Sequence, residues 1–124
     1  MSAIEEPRRS LVVRLGGVTV REYPLENTRL TIGRRSDNQL QLDDSAVSGV
    51  HAEILLEPSP FLEGYREPYL VDIGSTNGTT VNGSRIDRYR LIPGDRIRIG
   101  AHELLYQEEG GMDQTVILIP DAED

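Results

Sequence analysis

DIGSTNGTTVNG, residues 72–83, holds two Asn-Gly pairs and four hydroxyl side chains in twelve residues. Asn-Gly tolerates positive φ and is the strongest short-range hairpin signal a sequence offers. The pairs Asn77-Gly78 and Asn82-Gly83 have three residues between them, which leaves room for almost no strand. The stretch is therefore either a pair of tight turns or a loop that presents hydroxyl and amide groups to a ligand.

Outward from it, helical periodicity is nearly absent. Alternating, β-branched runs bounded by turn residues recur instead: LVVRLG, VTVREYPL, RLTIG, LQLDD, VHAEILLE, YLVDIG, RIRIG, HELLYQ and TVILI. Gly16-Gly17 separates the first two. Pro93-Gly94-Asp95 breaks the chain before RIRIG, where Ile97 and Ile99 face one way and Arg96 and Arg98 the other. Short strands at this spacing predict an all-β, antiparallel sandwich or barrel with little or no helix. With one Phe and no Trp, its core must be built mainly from Leu, Ile and Val. EPSPFLEGYREP, residues 57–68, carries three prolines and reads as an extended surface loop. From residue 108 the composition turns acidic and Gly-containing, which reads as a tail or linker over 108–124 after a domain over 1–107.

The 124 residues suit one domain with one core. Cysteine is absent, which removes disulfides and thiolate metal sites, and no His/Asp/Glu spacing suits a metal. No cofactor is expected. The start, MSAIEEPRRS, is polar and no run reaches membrane-spanning length, so the reading is cytoplasmic, without a membrane partner. A net charge of −8 makes nucleic acid a poor partner, since such binding draws on displaced phosphate counterions. A single phosphate is different, because a few local donors can hold it. Lys is absent and all thirteen Lys/Arg positions are Arg, as the codon usage of a GC-rich genome would produce.

Two further segments stand out at strand ends: IGRRSDN, residues 32–38, and DDSAVSGVHAEI, residues 43–54. In this order, followed by VNG and L-x-PGD-x-I-x-IG, they closely resemble the forkhead-associated (FHA) domain over residues 30–106. The resemblance implies an antiparallel β-sandwich of about eleven strands whose loops at one end bind a phosphothreonine in an extended peptide. Phosphothreonine carries close to two negative charges and three acceptor oxygens. It calls for a cation plus several neutral donors.

By that resemblance, Arg34 matches the phosphate-binding arginine, whose planar fork donates two parallel bonds. Ser48, the Ser of Ser-x-x-His, matches a residue whose hydroxyl and backbone amide contact phosphate. Thr76 matches a phosphate-contacting hydroxyl, and Asn77 the amide that grips the peptide backbone. His51 is a scaffold residue that ties the loops together, and Gly33 and Gly78 are structural positions, Gly78 supplying positive φ. So Asn77-Gly78 belongs to a reader loop, whereas Asn82-Gly83 is a plain hairpin turn. Arg35 reads as a solvated arginine or as a source of long-range attraction, and Ser75 as loop support or contact. Gly49 is a departure: the family commonly has Arg there, so one peptide contact is lost and the loop is open to loosening.

The function this implies is a non-catalytic reader of phosphothreonine in partner proteins, downstream of a Ser/Thr kinase. A phosphorylation-independent scaffold or oligomerisation domain is the alternative. GSTNG has the outline of a nucleophile elbow, but its centre is Thr76 and no helix follows. In the tail, Thr115 is a candidate phosphoacceptor through which copies of the chain would associate.

Overall fold

The computed structural model describes residues 5–111, and every regular element among them is a β-strand. In chain order these are β1 (Arg8–Leu15), β2 (Val18–Pro24), β3 (Arg29–Gly33), β4 (Leu40–Gln41), β5 (Ala52–Pro58), β6 (Arg66–Asp72), β7 (Thr80–Val81), β8 (Ser84–Arg85), β9 (Arg88–Arg90), β10 (Arg96–Ile99) and β11 (His102–Glu109). They form a six-stranded sheet ordered β2-β1-β11-β10-β7-β8 and a five-stranded sheet ordered β4-β3-β5-β6-β9. The expected all-β sandwich is thus the architecture found.

Alternation dictates which side chains lie between the sheets. Leu11, Val13, Ile97, Ile99, Leu104 and Tyr106 come from one sheet, and Leu30, Ile32, Ala52, Ile54 and Leu70 from the other. Tyr106, with no exposed surface, supplies the aromatic bulk that the missing Trp would otherwise give. Three two-residue turns join neighbouring strands, and each uses positive φ; in one, Gly100 at 61° lies between the paired Ile99 and His102. Gly16 and Gly17, at 60° and 80°, close the Leu15↔Val18 pair. Asn82 and Gly83, at 52° and 88°, close Val81↔Ser84, as expected of a plain hairpin turn.

Four features differ from the sequence reading. Residues 57–68 are not one surface loop, because Glu57↔Glu67 and Pro58↔Arg66 continue the β5–β6 ladder and only the segment between them loops out. Pro58 and Pro60 sit where the hairpin leaves the sandwich, whereas Pro68 is buried within β6 opposite Leu56. The polar start contributes to β1: Arg9 is buried and its Nη2 donates to the Arg66 carbonyl at 2.8 Å. β7, β8 and β9 were not legible as runs, being only two or three residues long. Finally, the β3–β4 pair is parallel, Ile32 opposite Leu40. The chain doubles back through residues 34–39, and Thr31 and Gln39 exchange backbone-to-side-chain bonds of 2.9 and 3.1 Å that hold the return.

The sandwich has two distinct ends. At one, Ala52↔Asp72 ends the β5–β6 ladder, Leu15↔His102 ends β1–β11, and the Asp44 carboxylate accepts the Ala101 N–H at 2.8 Å. Three connections gather there: residues 34–39, 42–51 and 73–79. At the other end lie the termini of the described chain. Glu6 grips Arg66 at 2.8 Å, Arg8 pairs with Glu109, and Gly111 lies against Pro7. Thr115 and the TVILI run fall outside the described residues. Among the described residues no helix is long and apolar enough to cross a membrane.

Candidate functional site

The site begins with a close approach of two backbones. β3 ends at Gly33, where a Cβ would lie 2.3 Å from the Gly49 carbonyl oxygen. Only glycine permits that spacing. The consequence is a short cross-loop ladder: the Arg34 N–H donates to the Ser48 carbonyl at 2.9 Å and the Arg35 N–H to the Gly49 carbonyl at 3.2 Å. Arg34 then turns its Nε onto the Val47 carbonyl at 3.0 Å. That single bond fixes the guanidinium plane. Its two Nη groups have no partner among the described residues, and the side chain is exposed.

Ser48 sits between two loops. Its hydroxyl oxygen accepts the Thr76 N–H at 3.1 Å, which leaves the hydroxyl proton available to a ligand. Its own N–H is not available, because it donates to His51 Nδ1 at 3.0 Å. Of the two Ser48 groups expected to contact phosphate, the backbone N–H is thus engaged by His51, and the hydroxyl is the one left with an available donor. Asn77 donates through Nδ2 to the Ala46 carbonyl at 2.8 Å, with Oδ1 unpartnered among the described residues. The Thr76 hydroxyl likewise makes no bond among them, and both side chains are exposed. Arg34, Ser48, Thr76 and Asn77 are thus brought together by one hydrogen-bonded framework at one rim.

His51 is the buried tie of that framework. Since Nδ1 accepts from Ser48, Nε2 carries the proton and donates to the Gly78 carbonyl at 2.9 Å. Its backbone joins Ile32 and Ile73, so one residue connects β3, both loops and the end of β6. Gly78 adopts φ 89°, and a Cβ there would meet the Arg85 guanidinium at 2.9 Å.

The residues 73–79 are shaped by Asp72, which sequence reasoning passed over. Its Oδ1 accepts the Ser75 N–H at 2.8 Å, and its Oδ2 accepts the Ser75 and Thr79 hydroxyls, each at 2.7 Å. Burial alone would push this carboxyl up, but the bonds from Ser75 and Thr79 outweigh it and hold Asp72 below the usual carboxylate range. Ser75 in turn accepts the Gly78 N–H at 2.9 Å, so of its two readings loop support is the one its contacts favour. A weak signal for Asp72 was available: an Asp at a strand end before a Gly/Ser loop can accept nearby backbone N–H groups in the cap-like manner seen with Ser75.

Asn38, Ala46 and Val47 were also missed. Buried Asn38 donates from Nδ2 to the Gly49 carbonyl at 2.7 Å and the Arg35 carbonyl at 2.9 Å. Gly49 is therefore pinned through its carbonyl, not loosened. Ala46 and Val47 reach Asn77 and Arg34 through their carbonyls, which no side-chain pattern reveals. Arg35 is paired with Asp37 at 2.7 Å, so its charge is compensated beside it. Among the described residues no group of three or more His, Asp and Glu side chains is placed to hold a metal. A concavity of about 530 Å³, lined by Arg8, Ser10, Pro24 and Gln107, lies toward the termini. The loop rim is instead an open surface with a few aimed polar groups.

Comparison with known proteins meets this geometry from outside. The FHA domain model matches residues 30–100. The glycogen accumulation regulator GarA of Mycolicibacterium smegmatis is 36% identical over 96 residues, 77% of this chain and 56% of its own. FhaA of Mycobacterium tuberculosis, an FHA domain-containing protein, is also 36% identical over 77% of this chain, but over 17% of its own length. An oxoglutarate dehydrogenase inhibitor of Corynebacterium glutamicum is 33% identical, covering 77% of this chain and 62% of its own. The chain thus spans about half the length of the GarA proteins it matches. Among solved structures, the FhaA FHA domain complexed with the intracellular domain of Rv3910 superposes with a TM-score of 0.67 at 35% identity, covering 80% of this chain and 99% of that one. Mycobacterium tuberculosis EmbR in complex with a low affinity phosphopeptide gives 0.70 at 33% identity, covering 85% and 25%. On the matched model and the shared sandwich, this chain belongs to the FHA-domain family.

Proposed function

We propose that the chain is a phosphothreonine-peptide-binding module in Ser/Thr-kinase signalling, without catalytic activity of its own. The observation that carries the reading is the Arg34 guanidinium, fixed through Nε on Val47 with both Nη groups unpaired, beside the Ser48 and Thr76 hydroxyls. A dianionic ester needs such a fork plus neutral donors, and the groups are held before any ligand arrives, which lowers the ordering cost of binding. Asn77, with Oδ1 open, would take the peptide backbone beside the phosphate. Gly33, His51 and Gly78 hold the arrangement and do not touch ligand. The reading requires a kinase upstream and a phosphorylated protein as partner. It gains support from the phosphopeptide complex of EmbR and from FhaA bound to the intracellular domain of another protein.

Few contacts over a small area give an affinity near micromolar, about −8 kcal/mol. The test is calorimetric titration of a phosphothreonine peptide and its unphosphorylated twin into the wild type and Arg34→Ala. Only the phosphorylated peptide should bind the wild type, and Arg34→Ala should weaken that binding by about 2–5 kcal/mol. Equal binding of both peptides, or an Arg34→Ala variant that binds undiminished, would refute it and favour a phosphorylation-independent scaffold.

A further inference from the structure

The chain holds 21 carboxylate side chains against 13 arginines, so an arginine without a carboxylate beside it has been kept apart. Arg8, Arg9, Arg14, Arg29, Arg35, Arg66, Arg88 and Arg90 each have one within ion-pair distance. Among the described residues Arg21, Arg34, Arg85, Arg96 and Arg98 do not, and Arg21 rests on the Tyr23 ring. The remaining four are not scattered. Arg34 is in the loop rim, and the other three share the outer face of the six-stranded sheet next to it.

Register places them in order. Arg85 of β8 is opposite Thr80 of β7, Thr80 is opposite Arg98 of β10, and Arg98 is opposite Glu103 of β11. Directly paired residues project from the same face, and strands lie about 4.8 Å apart, so Arg85 and Arg98 are roughly 10 Å apart along one row. Glu103, directly opposite Arg98, makes its ion pair with Arg14 on its other side at 3.7 Å, so Arg98 is only partly compensated and its guanidinium has no ion-pair partner among the described residues. Arg96 stands on the same face one row further from the loops. The near end of the row touches the site: the Arg85 guanidinium lies across the backbone of Gly78, the residue after Asn77.

We propose that Arg85 and Arg98, backed by Arg96, form an accessory strip that binds an acidic segment of the same peptide that carries the phosphothreonine. The proposal rests on the phosphothreonine reading and names the partner's chemistry more closely: Asp or Glu on one side of the modified residue. An extended peptide advances about 3.3–3.6 Å per residue, so the 10 Å between the two arginines corresponds to acids about three positions apart. Both pairs are solvent-exposed, and together they should add about three- to tenfold in affinity, with a steeper salt dependence.

The experiment is fluorescence anisotropy of the full chain with three phosphothreonine peptides: alanine on both sides, acidic residues on the amino side, and acidic residues on the carboxyl side. Wild type, Arg85→Gln and Arg98→Gln are compared at low and high salt. The expected result is one acidic peptide bound about three- to tenfold more tightly than the neutral one. Each variant should lose part of that gain. Arg98→Gln is the cleaner probe, since Arg98 touches no residue of the 73–79 loop. Neither acidic peptide binding more tightly than the neutral one overturns the strip. So does a preference that survives both substitutions. If the neutral peptide itself fails to bind wild type, the phosphothreonine reading has failed, and the strip falls with it.

Discussion

Gly49 shows how much one residue can alter in a rim of this kind. Its φ is not in the left-handed region, so nothing in its backbone demands glycine. A Cβ there would meet only Arg35, at Cδ 3.0 Å and Cγ 3.3 Å, the middle of a flexible side chain that can shift by a few tenths of an ångström. Gly33 is the opposite case, because its added Cβ would strike a carbonyl at 2.3 Å. Hence Gly49→Arg should fold with a melting temperature near wild type. It should also tighten phosphothreonine-peptide binding, by at most about 1.5–3 kcal/mol for one charge-assisted bond. Isothermal calorimetry reads this directly, and an unchanged or weaker affinity in a folded variant would show that the position faces away from the peptide. Arg34 needed no coordinates to be singled out, since its motif position named it. What only the structure supplies is its restraint by the Val47 carbonyl, a backbone contact between loops thirteen residues apart.

The loop of residues 73–79 is held mainly by one carboxylate. Asp72→Asn keeps the shape but exchanges an acceptor oxygen for a donor, so at least one of the bonds from Ser75 and Thr79 is lost. The expected cost is about 1–3 kcal/mol of stability at neutral pH. Because the folded Asp72 carboxyl is held below its usual 3.8, its contribution is fully present above that value and is lost as pH falls through the lower folded value. Thermal melts of wild type and Asp72→Asn should therefore diverge at pH 7 and converge as the pH falls through the lowered folded value. A gap that stays constant down to acid would mean that Asp72 is not the charged organiser of the loop. At this scale the sequence was partly legible. Long runs such as HELLYQ and VHAEILLE announced β11 and β5, because alternation over many residues has one solution. β7, β8 and β9 were silent: two or three residues carry no periodicity, and their pairing is imposed by the Asn82-Gly83 turn and by β6 and β10. The acidic bridge of Asp44 to Ala101 was silent too, since it joins positions 57 apart.

Across the whole molecule, the sandwich separates two tasks. The described termini and the Glu6–Arg66 pair occupy one end, and the three connections that carry Arg34, Ser48, Thr76 and Asn77 occupy the other. Between them the Leu, Ile and Val core fixes the strand ends that aim those loops. The net charge of −8 makes the uncompensated arginines at the loop end the more distinctive, because a general acidic field would otherwise repel an anion. The most direct test of this account is a backbone amide map: titrate a phosphothreonine peptide into isotope-labelled full chain and follow each N–H signal. The prediction is that the large, saturable shifts belong to residues 34–35, 47–49 and 75–78, with the unphosphorylated peptide silent. Shifts gathered instead around Arg8, Ser10 and Gln107 at the far end, or the same shifts from both peptides, would contradict it.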